Sequence, residues 1–392
     1  MKKYHQLFLL IVSISSLSLF LIYRHEYNRL HYILEVFNFF GQPCNFSQLQ
    51  KSSGILMEHD WGPKPYFQQD EAGLVYSSFL LDKQVKTLLL VNDERKIAKG
   101  CFLWLENRKK PILGLFSYQK VGTDNNLYAY NCKFDSLNNN FDDLYAVSYS
   151  FRLKNFNNLT KIQIVVNNDN ERFVFNATIC VLPNVYSKKK LVEFLSFHKI
   201  IGVDSFIVYD KEIPYKLVKF ITNLNMNVSF FKFNIGANNN NVVKSLIETD
   251  CFYRTKKKSK FVAVLELNEY LTVKNNNNNN NNNNYINKIQ DVSFNNKDKT
   301  VVTVQKICLD FINNKPIVLE NFQVNDDFVA TKIIYNNYND KNVDFNKNTV
   351  VINKYVKCNL EPKNSHTDRF MQIFTDDLYG SVLVQLLIKQ QI

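Results

Sequence analysis

The sequence predicts an α/β protein: a mostly parallel β-sheet with helices on both faces, preceded by a β-sandwich-like domain and an N-terminal membrane anchor. Three observations predict this arrangement. Strand-like runs alternate with amphipathic helical patterns after Cys180, short strand-like runs recur between residues 74 and 175, and an apolar run of 17 residues lies near the N-terminus. Alternation of strands and helices is typical of parallel sheets, because each parallel connection needs a crossover element.

The N-terminal apolar run covers residues 7–23, with serine as its only polar interruption, and two lysines precede it. Its length is at the short end for a helix that spans a bilayer. No small-x-small cleavage site follows it, which favours an uncleaved anchor over a cleaved signal peptide. The sequence therefore predicts a cytosolic tip and signal-anchor helix in residues 1–29, followed by a stem in residues 30–73.

Four Asn-x-Ser/Thr sequons bear on the compartment in which the rest of the chain folds. They begin at Asn45, Asn158, Asn176 and Asn227, and N-glycosylation modifies only luminal polypeptide. The lysines before the anchor favour a cytosolic N-terminus. Together these features predict a single-pass type II protein of the Golgi or endoplasmic reticulum membrane, with a luminal C-terminal part.

The seven cysteines are widely spaced, and none forms a CxxC pair. Zinc fingers and thioredoxin-like sites need that short spacing. The pattern therefore favours dispersed disulfides, which form in an oxidising compartment.

The composition favours a folded protein and gives no sign of a nucleic-acid partner. Hydrophobic residues make up 45% of the chain, with 32 Phe and 21 Tyr, which is enough to build large cores. The formal net charge is +12, but the basic residues are scattered apart from residues 188–190 and 254–260. We expect no nucleic-acid partner, and a basic surface of this kind also suits small anionic substrates.

Residues 74–175 are predicted to form the β-sandwich-like domain. Short runs rich in β-branched and aromatic residues recur there, separated by turn-rich stretches such as residues 122–125. Evenly spaced short strands without helical periods are typical of a sandwich.

Residues 176–375 carry the alternation of strands and helices. Ser187 can cap a helix that Gly202 ends, and a strand ending in Asp210 follows. His198 shares the apolar stripe of that helix, so we expect it to make a hydrogen bond at the edge of the core. Ligands of such sheets bind beyond the carboxyl ends of the parallel strands.

Two segments interrupt or follow this domain. The Asn-rich run of residues 275–284 cannot bury apolar surface, so we expect it to be a solvated insert. Residues 376–392 are interpreted as a C-terminal tail.

The most informative stretch is residues 261–271, where a hydrophobic strand runs into Glu266, Asn268 and Glu269. Strand alternation would place Glu266 and Asn268 on the same side, with Glu269 at the strand end. Such oxygen atoms are preferred ligands of hard divalent cations. A cation held there could bridge a diphosphate and stabilise it as a leaving group. Acidic strand ends are also common as plain solvated edges, so both interpretations stay open at this point.

Several ordered blocks of the sequence resemble glycosyltransferase family 92. Residues 180–186 resemble the opening strand of that family, and residues 193–210 resemble its block of a helix, a Gly-Val pair and a strand. Residues 249–251 resemble its Asp-Cys block, and residues 261–271 its Asp-x-Asp-Glu motif. Residues 75–82 are similar to the β-rich region that precedes the catalytic domain.

The resemblance spans residues 74–370 and implies a GT-A fold. It implies the transfer of a hexose, often galactose from its uridine diphosphate form, to a glycan acceptor with inversion and with Mn²⁺ as the cofactor. In such folds a histidine near the end of the domain commonly joins the metal ligands. His366 lies at the matching place, and a neutral imidazole is a suitable ligand.

Other charged residues are candidates for contacts to the donor or acceptor. Asp210 could accept a hydrogen bond from ribose or uracil, and Asp250 and Arg254 could contact the donor, since the guanidinium fork suits a diphosphate. An inverting transfer needs a carboxylate near the acceptor hydroxyl as a general base, and Asp310 is the candidate. Residues such as the first three are more often charges at helix ends.

The metal motif departs from the family pattern. Glu266 replaces the first Asp and Asn268 the second, and a longer side chain and a lost charge both predict weaker metal binding. The first hypothesis is a type II galactosyltransferase-like enzyme. The second is a catalytically inactive family member that acts as a glycan-binding or scaffold protein. A third, a β-sandwich adhesion protein, would have no parallel sheet in residues 180–370.

Overall fold

The structure is a computed structural model of the 392-residue chain. The residues that it describes are 12–19, 68–69, 73–81, 84–91, 97–105, 110–122, 126–133, 144–150, 160–161, 163–164, 173–183, 187–211, 213–224, 226–233, 240–275, 299–309, 322–336, 348–357, 365–367 and 374–389. The chain divides into two compact units, Met1–Pro65 and Tyr66–Ile392.

The first unit contains part of the predicted anchor. Residues 12–19 are helical, and the remainder of residues 7–23 lies outside the described residues. Within the part of the chain that the structure describes, no helix is long and apolar enough to cross a membrane. The anchor and the stem therefore stay predictions.

The second unit contains two sheets and five helices among its described residues. The strands of the first sheet are β1 (Gln68–Gln69), β2 (Gly73–Leu81), β3 (Gln84–Val91), β4 (Gly100–Leu105), β5 (Ile112–Lys120), β6 (Leu127–Lys133), β7 (Leu144–Ser150), β8 (Thr160–Lys161) and β9 (Gln163–Ile164). The strands of the second sheet are β10 (Phe175–Val181), β11 (Ser205–Asp210), β12 (Asn227–Lys232), β13 (Ser259–Leu265), β14 (Glu269–Asn275), β15 (Lys299–Leu309), β16 (Phe322–Asn336), β17 (Asn348–Lys357) and β18 (Ser365–Thr367). The helices are α1 (Lys188–Ile200), α2 (Tyr215–Thr222), α3 (Asn240–Thr255), α4 (Thr375–Gly380) and α5 (Val382–Ile388).

The first sheet is almost entirely antiparallel, with the strand order β1-β2-β3-β6-β5-β4-β7-β8 and β9 on β2. It curls back on itself, because the first half of β5 pairs with β4 and the second half pairs with β6. Side chains of β3 and β6 consequently pack against those of β4 and β7 in one core, and the Tyr149 hydroxyl reaches Thr87 Oγ1 at 2.6 Å. The predicted β-rich domain is thus one curled sheet with a sandwich-like interior.

The second sheet has the strand order β12-β11-β10-β13-β16-β15-β17-β14, with β18 on β16. The strands β12, β11, β10 and β13 are parallel, as the alternation of strands and helices predicts. The prediction of a mostly parallel sheet is wrong for the other half, where antiparallel pairs predominate. Parallel neighbours need a long crossover, usually a helix, and among the described residues no helix lies between β13 and β18. The parallel half argues against the adhesion-protein hypothesis.

Helices cover both faces of the second sheet. Helix α1 packs on one face together with α2, α4 and α5. Helix α3 packs on the other face, where it also contacts the first sheet. Both predicted signals for α1 are confirmed: the Ser187 hydroxyl accepts a hydrogen bond from the Lys190 N–H, and Gly202 has a φ of 97°, which favours glycine.

Disulfides brace both sheets. Cys101 bonds to Cys132 inside the curled sheet, and Cys180 of β10 bonds to Cys251 of α3. Cys308 is disulfide-bonded as well. The expectation of dispersed disulfides is therefore confirmed for these cysteines.

Candidate functional site

The candidate site lies where strand β13 ends. Glu266 follows its last residue, and a tight turn closed by a 3.0 Å hydrogen bond from the Glu269 N–H to the Glu266 carbonyl leads into β14. A Glu269 carboxylate oxygen in turn accepts the Glu266 N–H at 2.8 Å. Asp210 ends β11 at the same carboxyl edge, and β10 lies between β11 and β13. Two strand spacings place the two strand ends about 10 Å apart.

Two lysines from β16 and β17 contact the carboxylates of this turn. Lys332 Nζ is hydrogen-bonded to Glu269 Oε2. Lys354 Nζ lies 3.0 Å from Glu266 Oε2 and 3.2 Å from Glu269 Oε1. We call these four side chains the strand-end cluster. The sheet register accounts for part of it, because Glu269 and Lys354 are direct partners in the β14–β17 ladder.

The cluster has a buried half and a partly exposed half. The side chains of Glu269 and Lys332 are 2% and 8% exposed, whereas those of Glu266 and Lys354 are 32% and 26% exposed. One ion pair is therefore enclosed by protein, and the other reaches solvent at the edge of the sheet.

The lysines set the charge state of the buried carboxylate. Burial by itself would raise the pKa of Glu269, but Lys332, the Glu266 N–H and Lys354 together hold that pKa below its usual value. Burial lowers the pKa of Lys332, and the two glutamates raise the pKa of Lys354 despite its partial burial. Glu269 is therefore a carboxylate at neutral pH.

Asn268 does not join the carboxylates. Its side-chain amide donates to the Tyr355 backbone carbonyl at 2.9 Å, and the backbone carbonyl of Asn268 accepts a hydrogen bond from the Tyr355 N–H at 2.9 Å. The prediction that Glu266 and Asn268 lie on the same side of a strand is wrong, because the strand ends at Leu265 and the next residues form a turn. Strand alternation applies only while the backbone stays extended.

The side chains of His366 and Asp310 lie outside what the structure describes. His366 lies in β18, where its backbone pairs with Val324 of β16, and its side chain is outside what the structure describes. Asp310 lies outside the described residues altogether. Their predicted roles as metal ligand and general base stay predictions.

Asp210 is buried at the end of β11 and makes a local turn. Its Oδ1 accepts the N–H of Ile213 at 2.6 Å, just before α2 begins. This carboxylate therefore fixes the connection between β11 and α2. Its predicted contact to the ribose or uracil of a donor stays a prediction.

Asp250 and Arg254 lie in the core between α3 and the sheets. Arg254 forms a two-pronged ion pair with Asp250 at 3.0 and 3.1 Å, and the Tyr209 hydroxyl donates to Asp250 at 2.5 Å. The guanidinium lies 3.9 Å from the ring centre of Phe231. We call Tyr209, Asp250 and Arg254 the core cluster.

Burial followed by the Asp250 charge raises the pKa of Tyr209 well above its usual value. Burial would lower the pKa of Arg254, but Asp250 raises it further, so the guanidinium stays charged. Because neighbouring residues of a strand point to opposite faces, Tyr209 and Asp210 face away from each other. The structure thus does not bring the core cluster together with Asp210, and this placement gives no support to a donor contact by Asp250 or Arg254.

His198 supports the strand that carries Glu269. Its Nδ1 lies 2.8 Å from the Phe194 carbonyl, and its Nε2 lies 3.2 Å from the Leu271 N–H of β14. These partners assign the proton to Nδ1, which donates, while Nε2 accepts. Burial lowers the pKa of His198 to about 3, so the imidazole is neutral. The predicted hydrogen bond is confirmed, but the imidazole is fully buried and does not lie at the edge of the core.

Sequence reasoning missed Lys332 and Lys354. A signal for Lys332 is present, since it stands in the strand-like run of residues 330–335 between hydrophobic side chains. A lysine inside a buried strand is rare without a partner of opposite charge. That rule predicts a carboxylate partner, but only the folded register identifies which one.

The fold and the site define an α/β protein with carboxylates and ammonium groups at the carboxyl edge of its parallel strands. The sequence profile of glycosyltransferase family 92 matches residues 176–373, half of the chain. The chain belongs to glycosyltransferase family 92. No curated protein matches the chain in a sequence search.

The described residues of the strand-end cluster do not fit a divalent metal ion. Both carboxylates already have ammonium partners, and the Asn268 amide is turned toward the Tyr355 backbone. Among the described residues, no three His, Cys, Asp or Glu side chains are grouped so that they could hold a metal ion. Hard divalent ions need several oxygen ligands that carry enough negative charge, and here that charge is neutralised.

Proposed function

We propose that this chain is a glycosyltransferase that moves a hexose, galactose by preference, from a uridine diphosphate sugar to a glycan acceptor with inversion. The family match over residues 176–373 supports the transferase class. The strand-end cluster is the observation that supports a location for the active site, because its charged groups lie at the sheet edge where α/β folds bind their ligands.

The chemistry needs two functions from the protein. The bond between the sugar C1 and the diphosphate oxygen breaks, and its electron pair leaves with the nucleoside diphosphate. The acceptor oxygen forms the new bond to C1, and its proton passes to a base. Positive groups beside the diphosphate stabilise the leaving group, and the partly exposed ammonium of Lys354 is suited to that task. Asp310 is our candidate for the base.

The test is a turnover assay on the purified full-length chain. We expect release of uridine diphosphate from at least one uridine diphosphate sugar when a glycan acceptor is supplied, and reduced turnover in Glu266→Gln. Glu266 is a suitable probe because it is partly exposed and lies at the end of the strand. The matched control is Glu248→Gln on α3, a carboxylate in a long surface ion pair with Lys244. Equal loss in both variants would contradict the assigned site.

A second candidate function rests on the neutralised carboxylates. If the lysines prevent the carboxylates from taking part in catalysis, the chain is a glycan-binding or scaffold protein that keeps the fold without turnover. Calorimetry with glycans separates the two candidates, because the scaffold protein binds glycan but releases no nucleotide from any donor. Turnover with any donor excludes this second candidate.

We also propose that the second unit lies in the lumen of the Golgi or endoplasmic reticulum. The disulfides Cys101–Cys132 and Cys180–Cys251 support an oxidising compartment. The sequon residues Asn176 and Asn227 are exposed at the beginnings of β10 and β12, the sheet edge opposite the strand-end cluster. Treatment of the cell-expressed chain with an N-glycosidase should lower its mass, and Asn176→Gln and Asn227→Gln should each remove one step of that shift. No shift in the wild type would contradict glycosylation in the lumen.

A further inference from the structure

We infer that the ammonium groups of Lys332 and Lys354 take the place of a divalent cation, so that this chain binds the diphosphate of its donor without a metal ion. This inference rests on the proposed function, because it assumes that the donor is a nucleotide sugar. It concerns how the site recognises the diphosphate.

The strand-end cluster is balanced in charge. Glu266 and Glu269 alone would repel a diphosphate, and the usual remedy is a cation between them and the phosphates. Here Lys354 bridges the two carboxylates, at 3.0 Å from one and 3.2 Å from the other. Lys332 adds a second positive charge at Glu269. The two carboxylates are therefore matched by two ammonium groups before any ligand arrives.

Lys354 is placed so that it can contact a ligand. An ammonium group has three donors, and the described contacts of Lys354 use two of them, one on each glutamate. The side chain is 26% exposed at the carboxyl edge of the sheet. A phosphate oxygen that approaches from solvent can accept a hydrogen bond from the third N–H, while the carboxylates hold the ammonium group in place.

A metal ion would compete with the two lysines for the carboxylates. A cation that binds both carboxylates must displace the lysines, and Lys332 is only 8% exposed. Displacement would leave a buried ammonium group without its carboxylate partner, which is strongly unfavourable. Asn268 offers no negative charge as compensation, and its amide is held by the Tyr355 backbone. Lys332 therefore occupies the place beside Glu269 where a divalent cation would bind, and Lys354 presents a positive charge to the ligand.

The experiment measures binding of uridine diphosphate galactose to the full-length chain by calorimetry, first with excess chelator and then with excess Mn²⁺. Inorganic pyrophosphate with chelator serves as a probe that is independent of the base and the sugar. We expect the same affinity in both conditions. We expect Lys354→Gln to weaken binding by about 10- to 100-fold, which corresponds to the loss of one charge-assisted hydrogen bond. Lys354→Arg keeps the charge and should recover part of the affinity.

The matched control is Lys216→Gln, an exposed lysine on α2 that should leave binding unchanged. A second readout does not depend on the ligand: the spectrum of Mn²⁺ by electron paramagnetic resonance should show no bound ion with the wild type. If Lys354→Gln does not fold, the comparison of chelator and Mn²⁺ on the wild type still decides the question.

The outcomes separate this inference from the proposed function. Donor binding that appears only with Mn²⁺ overturns the inference and leaves the proposed function standing. Equal affinity of wild type and Lys354→Gln in chelator also overturns it. A folded wild-type chain that binds neither nucleotide sugar nor pyrophosphate under either condition contradicts both. Equal binding in both conditions together with a weak Lys354→Gln variant supports both.

Discussion

The core cluster and the strand-end cluster are both built from carboxylates and cationic side chains in the same unit of the molecule. In the core cluster, Asp250 is fully buried and is held by Arg254 and the Tyr209 hydroxyl. In the strand-end cluster, Glu266 and Lys354 are about a third and a quarter exposed. One cluster is enclosed by aromatic rings, whereas the other reaches water at a sheet edge.

The difference shows what burial does to an ion pair. A buried pair is costly to break because the remaining charge has no water around it, so the core cluster fixes α3 against the sheets. A partly exposed pair contributes little to stability, but its groups can exchange partners with a ligand. The first cluster is therefore suited to a structural role and the second to binding.

The largest expected effect is on stability, at the core cluster. Arg254→Met leaves Asp250 charged and buried, and we expect the free energy of unfolding to fall by about 3–5 kcal/mol. Urea denaturation followed by circular dichroism measures this change. The control is Lys244→Met, which removes a 3.9 Å surface pair with Glu248 and should cost no more than about 0.5 kcal/mol. Similar losses in the two variants would remove the distinction between core and surface.

The next effect concerns the buried half of the strand-end cluster. Lys332→Met should lower the free energy of unfolding by about 2 kcal/mol, less than Arg254→Met, because Lys354 and the Glu266 N–H still contact Glu269. The double variant Lys332→Met/Glu269→Leu should recover most of this loss, since it leaves no buried charge behind. A double variant less stable than Lys332→Met would contradict this, because it would show that Glu269 stabilises the fold through its remaining contacts to Lys354 and the Glu266 N–H.

Acidification should lower the free energy of unfolding through His198. The pKa of this imidazole is about 3 in the folded chain and 6.5 in the unfolded chain. Between these two pH values, the unfolded chain therefore binds a proton that the folded chain does not. The free energy of unfolding should therefore fall as the pH decreases from 6.5 toward 3, by at most about 1.4 kcal/mol per pH unit. Glu269 adds to the fall at the acid end, because its pKa is lowered and its protonation ends the ion pairs. Urea denaturation over this range should give a shallower slope for His198→Gln, and parallel slopes would contradict the assignment.

The smallest expected effect on stability is at Lys354. Its side chain is 26% exposed, so Lys354→Gln should change the free energy of unfolding by less than about 1 kcal/mol. The same variant should nevertheless weaken diphosphate binding, which is what distinguishes a binding group from a structural one. Thermal unfolding of the variant without ligand measures the first quantity. A large loss of stability would show that Lys354 has a structural role, like the residues of the core cluster.

The sequence was sufficient for those parts of the fold that depend on local signals. The cap at Ser187, the left-handed Gly202 and the strand that ends at Asp210 follow from residue type and periodicity, and the structure has them. The antiparallel half of the second sheet was not predictable in the same way. Strand residues such as those of β15 to β17 show that a strand forms, but not which neighbour it pairs with.

The candidate site was predictable only in part, for a related reason. Glu266 and Glu269 stand together in the sequence, so their proximity follows from a turn. Lys332 and Lys354 reach them from 63 and 85 residues beyond Glu269, through the pairing of distant strands. Asn268 was misplaced because alternation was extended past the last residue of the strand. Contacts between distant segments depend on register, which local pattern does not contain.

The disulfide between Cys180 and Cys251 lies in a core that both sheets share. Leu246 and Ile247 of α3 pack there against Phe79 and Leu127 of the first sheet. A recombinant fragment cut to residues 176–373, the part that matches the family, would lack the first sheet. It would therefore expose to water the face of α3 that packs against that sheet. Such a fragment should be poorly soluble, and chimaeras with relatives should exchange the curled sheet and the parallel strands as one piece.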